Sequence, residues 1–177
     1  NVEKYSSVWI DEEEGVATFG LYNLSGQLVG YQQYKPFATK DHKLEKEPRN
    51  MKYFTHATLE GKTKAAVVFG LETVNMMEDK FVFLTEGIFD VVRLHNYGLS
   101  AIAVLCNNPD HLDSFLSALP AKTVAVCDNN AAGKELAKHA DVSFTVPTVD
   151  LGDMTDEELN SFVYSMLRAL KHPGASA

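Results

Sequence analysis

Five carboxylates in the second half of the chain stand just past apolar runs. Glu86 follows FVFLT, Asp90 comes four residues later, Asp128 follows TVAVC, and Asp150 and Asp153 follow VSFTV and Pro147. Carboxylate oxygens are the donors a hard divalent cation takes. Mg²⁺ keeps several of its waters, so one or two carboxylates and the phosphates of a substrate complete its shell. Two such ions roughly 4 Å apart neutralise the charge between the attacking and leaving oxygens of a phosphoryl transfer. A fixed acid such as Glu86 can also relay a proton. One Asp after one apolar run is ordinarily a helix cap. Acids after three separate runs are the pattern a metal cluster needs. Asp90 has a rival role, pairing on a helix surface with Arg93, and Asp156 and Glu157 read as helix-start charges that suit the dipole.

The elements that must carry these acids alternate. FVFLTE predicts a strand, GIFDVVRLHNYG a helix ending at Gly, and SAIAVLC a second strand. Asn108-Pro109 then opens a helix over DHLDSFLSAL, with Asn as the cap and Pro in the first turn. TVAVC, the helix AAGKELAKHA and the strand VSFTV follow. A capping box at Thr155–Glu158 opens a last helix, DEELNSFVYSMLRAL. The strand runs are apolar without alternation, which predicts a parallel sheet covered by helices on both faces. Ligands of such sheets bind at the carboxyl ends of the strands, where the acids fall. Helix starts after Glu86 and Asn130 would add amide donors for phosphate.

The first part of the chain reads differently. VATFGLYNLSGQLVGYQQY, residues 16–34, is a hairpin turning at Asn23–Gly26. A polar loop over 38–50 precedes two further short strands, 51–55 and 65–70. Residues 1–75 thus form a small β-rich subdomain ahead of an α/β domain at 76–177. The net charge of −8 is uneven: residues 1–66 balance nine basic against nine acidic groups, and residues 67–177 carry all of the excess. An acidic half does not attract nucleic acid by charge alone, but bound cations reverse its local sign. Seven basic residues lie in 40–64 against four acidic ones, which makes this stretch the candidate for a phosphate backbone. No apolar run reaches the roughly 18 residues a membrane span needs. No signal peptide pattern opens the chain, which starts at Asn, as a trimmed or excised chain would. Cys106 and Cys127 form no CxxC pair, so no zinc ribbon is expected, and both read as small buried thiols in a reducing compartment.

Three of these segments together resemble the motifs of TOPRIM domains. Thr85–Asp90, TEGIFD, resembles their EGxxD motif. Asp128–Gly133, DNNAAG, resembles DxDxAG, and Val149–Met154, VDLGDM, resembles the third acidic stretch of phage primases. Ile88-Phe89 inside the first motif, the hairpin Leu21–Tyr34 and Val68–Glu72 are similar to the DnaG-type and phage primase version. The resemblance runs over residues 16–165.

It implies a four-stranded parallel, Rossmann-like sheet with flanking helices behind the β-rich subdomain. It implies a DNA primase catalytic domain, a nucleotidyltransferase making short RNA primers on single-stranded DNA with Mg²⁺ or Mn²⁺. Glu86 would then be the catalytic acid–base. Glu86, Asp90, Asp128, Asn130, Asp150 and Asp153 would form the metal cluster, with Asn130 where the family usually has a second Asp. Tyr34, Lys35, Arg49, Lys52, Lys62 and Lys64 would guide nucleic acid, with Tyr53 as an alternative stacking platform to Tyr34. The implied partners are single-stranded DNA, ribonucleotides, and a helicase or zinc-binding template reader. The implied setting is cytoplasmic, that of the bacterial host if phage-encoded. The same acids would also serve a metal-dependent nuclease that activates water, or persist in a non-catalytic nucleic-acid-binding protein.

Overall fold

The computed structural model describes residues 5–57, 66–106 and 108–172. Four antiparallel strands come first: β1 (Val8–Asp11), β2 (Val16–Tyr22), β3 (Leu28–Tyr34) and β4 (Tyr53–Ala57), in the order β1-β2-β3-β4. The hairpin between β2 and β3 turns where the sequence places it. The Asn23 side chain accepts from the Gln27 N–H at 3.0 Å, and Gly26 takes φ 74°, a left-handed value that suits glycine. Strand β1 lies in the stretch for which the sequence supplied no pattern. Its edge position leaves Trp9 and Ile10 exposed.

The second sheet is β5 (Phe81–Thr85), β6 (Ala101–Ala103), β7 (Lys122–Cys127) and β8 (Val142–Thr145), all parallel, in the order β6-β5-β7-β8. Helices α1 (Ile88–Asn96), α2 (Asp113–Ser117), α3 (Ala131–Leu136) and α4 (Asp156–Lys171) connect and flank it. Side chains alternate between faces along a strand. Phe83 therefore packs in one apolar layer with Val91, Leu94, Leu159 and Val163, while Val82 and Leu84 pack in the other with Leu112, Phe115 and Leu136. The first layer also takes in Phe19 and Leu21 from β2, so the core continues between the sheets. The first sheet lies within residues 8–57 and the second within 81–145.

Four local readings change. The strand expected at 65–70 is a pair of single-residue bridges: Val68 joins Tyr22 of the first sheet and Phe69 joins Ala103 of the second. Serving two sheets with adjacent residues leaves no room for a ladder. The helix expected over 110–119 is a 3-10 turn, Asp110–Leu112, followed by the short α2. Asn108 accepts from the Asp110 N–H at 3.1 Å, but the cap position falls on Pro109 rather than on Asn108, and no side chain caps the turn. The helix expected over 131–140 tightens to 3-10 geometry after Leu136. Strand β8 is covered on one face only: it is an edge strand whose residues alternate between half-buried and exposed. The capping box of α4 forms as expected, with the Glu158 N–H donating to Thr155 Oγ1 and the Thr155 N–H to the Glu158 carboxylate. No helix among the described residues is long and apolar enough to cross a membrane.

Candidate active site

Each acid owes its position to a strand end. Strand β5 finishes at Thr85, whose hydroxyl donates to the Gly87 carbonyl at 2.9 Å and folds the chain sharply into α1. Glu86 sits in that turn, and Asp90 lies in the first turn of α1, where its carboxylate accepts from the Gly87 N–H. Strand β7 ends at Cys127, and Asp128 follows. Asn130 caps α3, its Oδ1 accepting from the Gly133 N–H at 3.0 Å. Gly133 has to be glycine, since a Cβ there would lie 2.0 Å from the Asp128 carbonyl oxygen. Asp150 caps a 3-10 turn over Leu151–Asp153, accepting from the Asp153 N–H at 2.9 Å. The Asn129 N–H donates to the Val149 carbonyl at 3.0 Å and ties this loop to the end of β7. On its other side, Arg93 of α1 donates to the carbonyls of Leu151, Gly152 and Met154 at 2.6, 3.2 and 2.8 Å.

These ends meet in a cleft of about 520 Å³ between the two sheets. One wall carries Glu86, Asp90, Asp128 and Asp150. Gln32 and Tyr53 come from β3 and β4 of the first sheet and Lys40 from the loop between them, and Gly87, Ile88, Phe89, Leu105, Cys106 and Gly152 complete the lining. Lys40 lies over the Tyr53 ring, 5.4 Å from its centre, and Lys52 over Tyr34 at 5.7 Å. Tyr34 packs against Tyr53 and edge-on against Phe89, so it supports the exposed Tyr53 from behind.

Crowded acids resist ionisation. Burial, then the charges of Asp128 and Asp90, push the Glu86 carboxyl up to about 7. Burial, then Asp128 and Asp150, raise Asp90 to about 7, against the pull of its Gly87 hydrogen bond and of Arg93. Asp128 is also raised, by burial first and then by Asp150; hydrogen bonds from the Leu151 N–H and the Asn130 side chain hold it back. Glu86 Oε1 is buried and has no hydrogen-bond partner among the described residues. Such an oxygen, among like charges on hard donors, fits a divalent cation, which would both ligate it and relieve the repulsion.

The cleft therefore gathers four of the six expected metal-site residues. Asn130 and Asp153 are not among its lining groups. Asn130 has its oxygen engaged in the cap and its amide on Asp128, and Asp153 reaches Asp128 through its charge. Of the expected nucleic-acid contacts, Tyr34 stands one ring behind the cleft, the Lys35 ammonium donates to the Arg49 carbonyl, and Arg49 is exposed. Lys62 and Lys64 lie outside the described residues. Cys127 is buried as expected, but Cys106 is only half-buried because it lines the cleft.

Sequence reasoning missed Gln32 and Lys40 as cleft residues, although Lys40 belongs to the basic stretch it singled out. It also missed a separate group, Asp110, Asp113 and His139, whose donor atoms are close enough together to hold a metal ion. His139 lies far from Asp110 and Asp113 in the sequence, and no motif marks the group. His139 Nδ1 lies 2.6 Å from Asp113 and its Nε2 lies 3.4 Å from Asp110. Asp113 and His139 border another cavity with Thr123, at the start of β7, and Asp141, just before β8. That is the edge opposite the acid cluster.

The chain thus has a parallel β6-β5-β7-β8 sheet with acids after β5, β7 and β8, and an antiparallel sheet before it. This fold is similar to that of the catalytic cores of DnaG-type primases. The zinc-binding and RNA polymerase domains of the Aquifex aeolicus primase superpose with a TM-score of 0.58 at 22% identity, over 94% of this chain and 42% of that one. The primase fragment of the bacteriophage T7 primase–helicase protein gives 0.59 at 14% identity, over 88% and 66%. A DnaG primase catalytic domain bound to single-stranded DNA gives 0.61 at 14% identity, over 93% and 59%. At these identities the likeness establishes the fold, and the chain spans less than two thirds of the length of each. No protein-family model and no curated protein sequence matches the chain.

Proposed function

We propose that this chain is the catalytic core of a DNA primase, joining ribonucleotides into short primers on single-stranded DNA with Mg²⁺ or Mn²⁺. The observation that carries the reading is the cleft itself. Four carboxylates from three strand ends face a lysine–tyrosine wall, in a fold shared with primase cores. Glu86, Asp90, Asp128 and Asp150 would hold the divalent ions, with Asn130 and Asp153 behind them. The metal, when bound, would supply charge neutralisation at the transferred phosphoryl group. Glu86, whose Oε1 is buried and has no hydrogen-bond partner among the described residues, could take the proton released by the attacking hydroxyl. Tyr53, exposed and braced by Tyr34, offers a face for a base, and Lys40 beside it a cation for phosphate. Lys35, Arg49 and Lys52 would extend this basic side of the template path, and Lys62 and Lys64, outside the described residues, are assigned to the same role by the sequence alone. A zinc-binding module or a helicase accompanies the primase region in the Aquifex aeolicus and T7 proteins, and a partner of that kind would complete this chain. Replication in a bacterial cytoplasm is the setting that goes with this role.

The test is incubation with labelled ribonucleotides, single-stranded DNA and Mg²⁺ or Mn²⁺, beside a Glu86→Gln control. Short labelled oligonucleotides that vanish in the control are expected. Shortened DNA without labelled product would replace the primase reading with a nuclease. Neither product, even with a helicase or zinc module added, would leave a binding protein.

A further inference from the structure

Resting on the reading of the cleft as a divalent-metal site, we propose that Arg93 is the positioning residue of its acid cluster. It would act through the loop that carries Asp150 and through Asp128, without itself touching metal or substrate. Arg93 stands in α1, one turn beyond Asp90, and its side chain is mostly buried. Its guanidinium donates to three carbonyls of one loop, those of Leu151, Gly152 and Met154, at 2.6, 3.2 and 2.8 Å. A planar fork with five N–H donors can satisfy three acceptors at once, which an ammonium on a flexible stem does poorly. The ion pair with Asp156 is longer, 3.7 Å, and its carboxylate is almost wholly exposed, so it adds little.

What the three bonds fix is chemically relevant. The pinned loop begins at Asp150, whose carboxylate caps the turn that Arg93 holds. Leu151 connects the two sides: its carbonyl accepts from Arg93 and its N–H donates to the Asp128 carboxylate. One side chain of α1 thus sets the separation between the acids after β7 and β8 and Asp90 on its own helix. The Arg93 charge also eases Asp90 towards its ionised form, against the neighbouring carboxylates. Groups that orient metal ligands from behind typically change affinity by about 10–100-fold when altered.

The experiment is Mn²⁺ titration of the purified full chain, followed by electron paramagnetic resonance so that no turnover is needed. Arg93→Lys is compared with Asp128→Ala, Asp150→Ala and the double variant Arg93→Lys/Asp150→Ala. Val163→Ala, which thins the core under α4, controls for lost stability. We expect Arg93→Lys to weaken Mn²⁺ binding about 10-fold or more. We expect Val163→Ala to bind as wild type, and the double variant to bind no worse than Asp150→Ala alone. In primer synthesis, excess Mn²⁺ should restore most of the Arg93→Lys rate, a change in metal KM rather than kcat. Should Arg93→Lys fail to fold, Arg93→Gln, which keeps two amide donors, carries the same comparison. Wild-type affinity in the Arg93 variant while Asp128→Ala loses the metal would overturn the positioning role and leave the site intact. Fully additive losses in the double variant would also overturn it. Unchanged binding in Asp128→Ala and Arg93→Lys alike would remove the metal site on which the inference rests.

Discussion

Replacing Asp90 by Asn isolates the electrostatic cost of the acid cluster. Asn preserves an acceptor for the Gly87 N–H and removes only the charge. The Asp90 carboxyl is raised from 3.8 to about 7, chiefly by burial and then by Asp128 and Asp150. A raised acid keeps its proton in the fold and loses it in the unfolded chain. Between about pH 4 and pH 7 the native state therefore binds more protons, and stability falls as pH rises through that window. At about 1.4 kcal/mol per unit the whole shift is worth about 4 kcal/mol. Water in the open cleft screens part of this, which leaves about 2 kcal/mol. Metal-free Asp90→Asn protein at about pH 8 should thus be more stable than wild type by about 2 kcal/mol, or about 4–8 °C in Tm for a chain of this size. The gain should shrink steadily as the buffer is taken from about pH 7 towards pH 4. Mg²⁺ should raise the wild-type Tm more than that of the variant. Thermal and urea unfolding in a chelator, repeated across that pH range, measure all of this. A variant less stable than wild type at pH 8, or a gain that ignores pH, would refute the electrostatic account of the cleft.

Asn130→Asp keeps the α3 cap but exchanges a donor to Asp128 for a further carboxylate. The metal-free Tm should fall and the rise on adding Mg²⁺ should grow; an unchanged rise would put residue 130 outside the metal shell. Tyr53→Ala should weaken binding of single-stranded DNA by about 1–3 kcal/mol, the worth of one stacked base, with Mn²⁺ affinity unaltered. Fluorescence anisotropy with a labelled oligonucleotide reads the first and paramagnetic resonance the second, and undiminished DNA binding would turn the template away from this wall.

The parallel sheet was legible because its strands are uninterrupted apolar runs separated by amphipathic helices, and the acids follow those runs directly. What stayed hidden depends on contacts between distant parts of the chain. Arg93 looks in sequence like a helix-surface cation, and only the return of the loop after β8 shows what its guanidinium holds. Lys40 and Gln32 line the same cleft as the acids because β3 and the loop beyond it border it, which no local spacing encodes. Asn130 reads in sequence as a replaced metal ligand, whereas its oxygen is spent on the Gly133 amide, a local capping bond of the kind Asn makes readily. Residues 65–70 have the composition of a strand, but Val68 and Phe69 each answer to a different sheet.

That split allegiance bears on how the cleft can work. Val68 exchanges two backbone hydrogen bonds with Tyr22, each 2.9 Å, and Phe69 exchanges two with Ala103 at 3.2 and 3.0 Å. Both residues are fully buried. Prising the walls apart at this seam would strand backbone donors and acceptors away from water, at about 1–3 kcal/mol for each group. The acid wall and the lysine–tyrosine wall therefore behave as the fixed jaws of a gauge. On the proposed reading, a strand and its incoming nucleotide would be measured by whether they fit the gap, with side chains at its lip, rather than a swinging domain, doing the adjusting.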